Sequence, residues 1–216
     1  MTDGILLIDK PTNMTSFGVV ARVRRRLSEA AGHKVKVGHT GTLDPFATGL
    51  MIIVVGKECK NAMTYSKLDK VYEATIRLGE VSTTGDPEGE ITAVSNTIPT
   101  QTVVLEALRA FTGEIQQIPP IYSAIKINGQ RAYKLARKGE VVVMPSRIIT
   151  IFSLELISYT YPELRVRSHV SSGTYIRTLA SDIGVKLGTG AYVTELRRTK
   201  IADYNISSAI SVESIE

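Results

Sequence analysis

The sequence predicts an α+β fold built on a mixed β-sheet. Strand-like and helix-like stretches alternate irregularly, and several strands follow one another late in the chain. A doubly wound parallel sheet would instead alternate strand and helix regularly. No break in composition, internal repeat or low-complexity linker divides the 216 residues, so one domain over 1–216 is expected.

The elements follow in order. Residues 4–9 (GILLID) read as a short buried strand, closed by a turn at Lys10-Pro11. Ser16 is a candidate N-cap for a helix whose apolar face is Phe17, Val20, Val23 and Leu27 and whose end is Gly32. Residues 34–37 alternate as a strand, and 38–49 form a loop rich in Gly, Thr and Pro. The β-branched run 50–55 reads as a fully buried strand, 58–65 as helical and 70–78 as an alternating strand. An acidic loop spans 82–90. A helix begins at Thr100, runs through Leu105, Leu108 and Phe111, and closes at Gly113. Two prolines make 118–121 irregular. Residues 132–138 read as a basic helix ended by Gly139, and 141–143, 148–157 and 164–170 as strands. A helix over 174–187 ends at Gly188, and 191–199 is extended.

Composition excludes several classes. Hydrophobic residues at 43% supply a core, which rules out disorder throughout. The longest apolar runs, such as 50–55, fall far short of the roughly 20 residues of a spanning helix, so no membrane partner is expected. One cysteine, Cys59, excludes a disulfide scaffold and fits a reducing compartment. No basic segment leads into an apolar stretch at the N-terminus, so no secretory signal is read and a cytoplasmic location is expected.

The net charge is +5. It is distributed in groups: Arg22, Arg24, Arg25 and Arg26, with Lys34 and Lys36 beyond; Lys126, Arg131, Lys134, Arg137 and Lys138; and Arg197, Arg198 and Lys200. Each group suits either a solvated helix face or a nucleic-acid contact. Acidic residues gather elsewhere, at Glu80, Asp86, Glu88 and Glu90. Neither a P-loop nor a dinucleotide-binding glycine motif occurs, and three histidines with one cysteine make no metal cluster by spacing. No cofactor and no metal are expected.

One loop is unusually dense: Gly38-His-Thr-Gly-Thr-Leu-Asp-Pro-Phe-Ala-Thr-Gly49. Its glycines permit tight turns or the close approach of a ligand. Pro45 pushes Asp44 out of helical conformation. A carboxylate in a loop anchored by a buried strand is well placed for catalysis; it equally suits a turn capped by its own side chain.

This loop resembles the catalytic motif of the TruB family of tRNA pseudouridine synthases. The opening Gly4-Ile-Leu-Leu-Ile-Asp-Lys-Pro-Thr-Asn-Met-Thr-Ser16 resembles the family's first motif, with Asn13 where Gly is usual. Asn is a common substitute for Gly in left-handed backbone, so little effect is expected. Asp69-Lys-Val-Tyr-Glu-Ala74 is similar to the tyrosine motif, Pro119-Pro-Ile-Tyr-Ser-Ala-Ile-Lys126 is a further match, and Ser172-Gly-Thr-Tyr-Ile-Arg-Thr-Leu179 is similar to the arginine motif. Thr194-Glu-Leu-Arg-Arg-Thr199 resembles the motif near the end of the catalytic domain. Six motifs stand in the family's order and cover nearly the whole chain.

The resemblance implies the pseudouridine synthase catalytic fold, a mixed curved sheet with flanking helices and loops. It implies conversion of a uridine in the T loop of tRNA, position 55, to pseudouridine, with the target base flipped out of its stack. Asp44 would be the nucleophile, attacking sugar or base; Arg177 would pair with it; and Tyr72 would lie against the target base. The same likeness makes His39 a contact to the RNA where a nucleotide is displaced. Tyr175 and Leu196 match pocket residues, though either suits a core. Lys126, Lys134 and Arg137 would bind RNA phosphates, in a segment (123–139) that is mobile and closes over the T loop. Bacterial members commonly continue into a small RNA-binding PUA domain. This chain ends at Glu216 with no room for one, so a short, stand-alone, monomeric form without guide RNA is expected. A non-catalytic tRNA-binding or tRNA-folding module would keep the basic groups but could dispense with Asp44, Tyr72 or Arg177, and all three are present. A synthase with other RNA targets is the remaining alternative.

Overall fold

The structure, a computed structural model, describes residues 3–123, 125–127 and 129–215. Its elements in chain order are β1 (Gly4–Lys10), α1 (Ser16–Ala31), β2 (Val37–His39), β3 (Thr48–Val55), a 3-10 turn (Gly56–Asn61), α2 (Ala62–Ser66), β4 (Lys70–Leu78), β5 (Glu80–Ser82), β6 (Ile91–Ala93) and α3 (Gln101–Arg109). There follow β7 (Gly113–Gln117), β8 (Lys126–Ile127), β9 (Gln130–Arg131), α4 (Ala132–Arg137), β10 (Arg147–Thr160), β11 (Glu163–Val170), α5 (Ile176–Lys186), β12 (Ala191–Ile201), β13 (Tyr204–Asn205) and β14 (Ile210–Ser211). This is the expected α+β class, with parallel and antiparallel pairs mixed.

The chain forms two compact units, Met1–Glu73 with Glu195–Glu216, and Ala74–Thr194. It passes between them within β4 and again within β12.

In the first unit the strand order is β14-β1-β3-β12, with β2 also on β3 and β13 on β12. Its centre is β3, whose residues Leu50 to Val55 are buried as their β-branching and length predict. β1 runs antiparallel to β3 along its whole length, from Gly4 opposite Val55 to Lys10 opposite Gly49. β12 pairs with β3 in parallel, Arg197 opposite Thr48 and Arg198 opposite Gly49. Helix α1 buries Val19, Val20, Val23 and Leu27 and ends at Gly32, left-handed at φ +70°.

In the second unit the order is β4-β11-β10-β7, with two small hairpins, β5-β6 and β8-β9. Helix α3 starts where expected: the Thr100 hydroxyl caps it and Val104, Ala107 and Leu108 are buried. Helix α5 buries Ile176, Leu179, Ala180 and Ile183.

Several local expectations need correction. The cap of α1 is Thr15, whose Oγ1 accepts from Gly18 N at 2.9 Å. Ser16 is the first helical residue and turns its hydroxyl elsewhere. Phe17 lies outside the buried face, with the Arg24 guanidinium 6.0 Å from its ring. The strand expected at 34–37 is Val37–His39, because pairing with β3 (Val37 opposite Val55, His39 opposite Ile53) sets its limits. Gly113 does not close α3. At φ +107° it opens β7, opposite Ile151 of β10. Residues 141–143 are not a strand: Val141 and Val143 are exposed and no neighbour among the described residues pairs with them, so β-branching alone does not make one.

Candidate active site

The site grows from the junction of β1, β3 and β12 in the first unit. Asp44 lies half-buried in the loop between β2 and β3. Many backbone groups around it are tied down. Leu43 N donates to Ser16 Oγ (2.8 Å), and that hydroxyl donates to Leu43 O (2.9 Å). Pro45 O accepts from Asn13 N (2.9 Å) and from Lys10 Nζ (3.1 Å). Ala47 N closes a turn onto Asp44 O at 3.2 Å. Thr40 N donates to Ile52 O (3.2 Å), Thr12 Oγ1 donates to Phe46 O (3.2 Å), and Arg198 Nη2 donates to Gly41 O (3.2 Å).

Three cations carry this framework, Lys10, Arg197 and Arg198, a role that neither a turn at Lys10 nor a basic group at 197–200 foretells. Lys10, fully buried, also donates to Pro11 O (2.9 Å) and Met14 O (2.7 Å), so one ammonium ties the segment between β1 and α1 to the loop that holds Asp44. Arg198, 1% exposed, sends Nε to Leu50 O at 2.7 Å. Arg197 grips Asp9 with both terminal nitrogens (3.1 and 2.7 Å) and reaches Thr48 Oγ1 at 3.3 Å. Pro45 O, Leu50 O and Gly41 O are carbonyl oxygens distant in sequence from the cations that reach them, and no spacing rule reports such contacts. Gly49 belongs to the same device. At φ +110° it lets β12 approach so closely that a Cβ there would stand 2.3 Å from Arg198 O. Asn13 holds φ +60°, the left-handed conformation expected of it.

A third buried cation, Lys70, donates to Ser66 O (2.7 Å) and to Leu68 O. Burial, and then the nearby Arg198 charge, push its ammonium down to about 8, against a smaller opposing pull from Asp69. Two residues on, Tyr72 is buried in β4, and Leu196 is buried in β12 beside Arg197. His39 ends β2, half-buried, opposite Ile53. The first unit thus carries His39, Asp44, Tyr72 and Leu196.

The second unit carries the arginine motif. Arg177, in the first turn of α5, is a buried cation and not a surface one. Its Nη1 donates to Asp86 Oδ2 (3.0 Å) and to Thr84 O (2.7 Å), and its Nη2 to Tyr122 O (2.8 Å). Asp86, also buried, is held in turn: its Oδ1 accepts from Thr84 Oγ1 (2.6 Å) and Glu88 N (3.0 Å). The acidic loop is therefore the seat of a buried ion pair, and among four acidic residues nothing in the sequence marks Asp86 as the partner of Arg177. Tyr175, at the N-cap of α5, is half-buried. Its N–H donates to Gln117 Oε1 (2.8 Å) and its carbonyl accepts from Gln117 Nε2 (3.0 Å).

Lys126 and Lys134 are exposed, on β8 and in α4. Arg137 is in α4 too, with its side chain outside the described residues. Among the described residues no group of three or more His, Cys, Asp or Glu could hold a metal ion, and no helix is long and apolar enough to cross a membrane.

Comparison with known proteins decides what this arrangement is. The TruB family pseudouridylate synthase N-terminal domain matches residues 25–176, and the tRNA pseudouridylate synthase B C-terminal domain matches 177–216. The chain belongs to the TruB family. The tRNA pseudouridine synthase B of Aromatoleum aromaticum is 45% identical over 216 residues, all of this chain and 68% of that protein. That of Phocaeicola vulgatus is 46% identical over 97% of this chain and 90% of its own. Among solved structures, a chain of a Cbf5-Nop10-Gar1 complex matches with a TM-score of 0.76 and 27% identity, over 98% of this chain. This chain spans about half (53%) of that one. The fold is thus that of the pseudouridine synthases. The TruB reaction isomerises uridine to pseudouridine, and the chain is a synthase of that class.

Proposed function

We propose that the protein converts the uridine at position 55, in the T loop of tRNA, to pseudouridine, with Asp44 as nucleophile. The observation that carries this reading is the locked loop. A carboxylate whose flanking carbonyls and amides are fixed by Ser16, Lys10, Asn13 and Arg198 can meet a substrate without rearrangement.

The reaction breaks the bond from ribose C1′ to uracil N1. The base turns, C5 joins C1′, and the C5 proton is lost while N1 gains one. No atom or electron is exchanged overall, so the chemistry calls for no cofactor. An aspartate suits it because it is ionised at neutral pH and forms an ester-like adduct that reverses. Asp44 works on either the sugar or the base, Arg177 orients its carboxylate and keeps it charged when RNA excludes water, and Tyr72 lies against the base and helps move the C5 proton. His39 contacts the RNA where the nucleotide leaves its stack, at a cost of a few kcal/mol, and Tyr175 and Leu196 line the pocket. Lys126, Lys134 and Arg137 bind phosphates in a segment that closes over the T loop.

The protein acts alone, as a cytoplasmic monomer without guide RNA. Support comes from about 45% identity to tRNA pseudouridine synthases, well above the 27% to the Cbf5 chain. The test is carbodiimide labelling and primer extension on an unmodified tRNA transcript, with Asp44→Asn as control. A stop at position 55 that requires Asp44 is expected. No stop, or an equal one with Asp44→Asn, would refute the reading.

A further inference from the structure

The second unit holds one guanidinium that the arrangement so far does not use. Arg147 opens β10 and stands opposite Gln117, the last residue of β7, in the strand register. Gln117 is the side chain that pins both backbone groups of Tyr175. The Arg147 guanidinium lies over the Tyr175 ring, 5.1 Å from its centroid. Its Nη1 runs along Gly173, where an added Cβ would stand 3.1 Å away; at φ +84° that residue keeps the passage open.

Two of its nitrogens, Nε and Nη2, are shut off from water without a hydrogen-bond partner. That is an unusual state for a group that is always charged and carries five donors. The buried cations Lys10, Lys70, Arg177 and Arg198 answer to carbonyls or a carboxylate. Arg147 has a stacking face on one side and unanswered donors on its edge. Such a fork matches the oxygens of a phosphate, which accept two parallel bonds and supply the missing charge.

We propose that Arg147 is a phosphate-binding residue, taking an RNA backbone phosphate next to the nucleotide that Tyr175 contacts. This rests on the reading of Tyr175 as a pocket residue. Arg147 would then fix the strand by its backbone on the far side of the ring, with no base information in the contact.

The test pairs protein and RNA changes. Wild type, Arg147→Gln and Arg147→Lys are bound to unmodified T stem-loop RNA by filter binding over a salt series, then to synthetic stem-loops each carrying one neutral methylphosphonate linkage. For Arg147→Gln the expected result is about tenfold weaker binding and a salt slope shallower by nearly one unit, with most of the kinetic loss in KM. One linkage should weaken wild type when neutralised and leave Arg147→Gln unaffected. Arg147→Lys should keep the slope but bind more weakly at that linkage, and it serves in place of Arg147→Gln should that variant not fold. Equal losses at every linkage in wild type and variant would overturn the proposal. So would lost turnover with unchanged affinity and slope, which would make Arg147 a support for the Tyr175 ring. RNA bound with this pattern but never converted would sink the assigned reaction and leave the phosphate contact standing.

Discussion

Arg177 Nη1 and Asp86 Oδ2 lie 3.0 Å apart, with each side chain only 4% exposed. The pair joins α5 to the loop between β5 and β6, so the arginine's direction is set 91 positions away. Asp86→Asn should keep the shape and lose the charge. Breaking a buried pair leaves an uncompensated ion and costs about 3 kcal/mol or more. A fall in melting temperature should accompany a drop in turnover on the order of a hundredfold as Arg177 loses its aim. Stability and turnover both at wild-type level would show that Thr84 O and Tyr122 O hold Arg177 unaided.

Asp44→Asn should abolish pseudouridine formation and leave T stem-loop affinity close to that of wild type. The substitution removes the carboxylate proposed as nucleophile and keeps the hydrogen bonds that run through backbone groups of its neighbours. Residual conversion at a substantial rate would take the nucleophile's role from Asp44.

Arg177→Lys keeps the charge and loses the fork that reaches Asp86, Thr84 and Tyr122 together. Turnover should drop sharply, and further in Arg177→Ala, with RNA affinity changed much less. Single-turnover kinetics set beside filter binding separates the two effects. An Arg177→Ala enzyme with normal single-turnover rate would refute a role in the chemistry.

Lys70 makes stability depend on pH. Its folded value of about 8 lies below the ordinary 10.5. Between these the unfolded chain binds more protons than the folded one, so stability rises with pH across that window. The gain is up to about 3 kcal/mol, and below pH 8 none of it is present. Denaturant melts of wild type and Lys70→Met between pH 7 and 10 should show the rise in wild type only. A rise of the same size in Lys70→Met would assign it to other groups.

Gly49→Ala should be among the most damaging single-methyl changes in the chain. The new Cβ would meet backbone of β12 that cannot move without unpairing from β3, and its φ is unfavourable to any L side chain. A melting temperature within a few degrees of wild type would show that β12 can yield.

Much of this was legible. Asp44 stood out because Gly, Thr and Pro surround it and a buried strand follows. The limits of β4 followed from strict alternation, and Asn13 from its tolerance of left-handed backbone. Sequence concealed whatever depends on distant partners. Lys10 read as part of a turn because its acceptors are carbonyl oxygens, which every residue has. Arg198 looked like one more surface charge, and Asp86 like one acid among four. The 141–143 run misled for the converse reason: its residues favour strands, but a strand exists only where another pairs with it.

The framework around Asp44 also fixes when it can form. The Arg198 bonds to Leu50 and Gly41 close over 148 and 157 positions, and the Arg197–Asp9 pair over 188. Contacts of such long range incur their loop-closure entropy before they return anything, so they come late in folding. On the ribosome, β1 and β3 can pair as soon as both emerge, but the loop that holds Asp44 lacks its arginine clasp until β12 has been made. The growing chain therefore carries Asp44 in an unclasped loop until β12 has been made, and the loop takes its final form only when β12 pairs with β3.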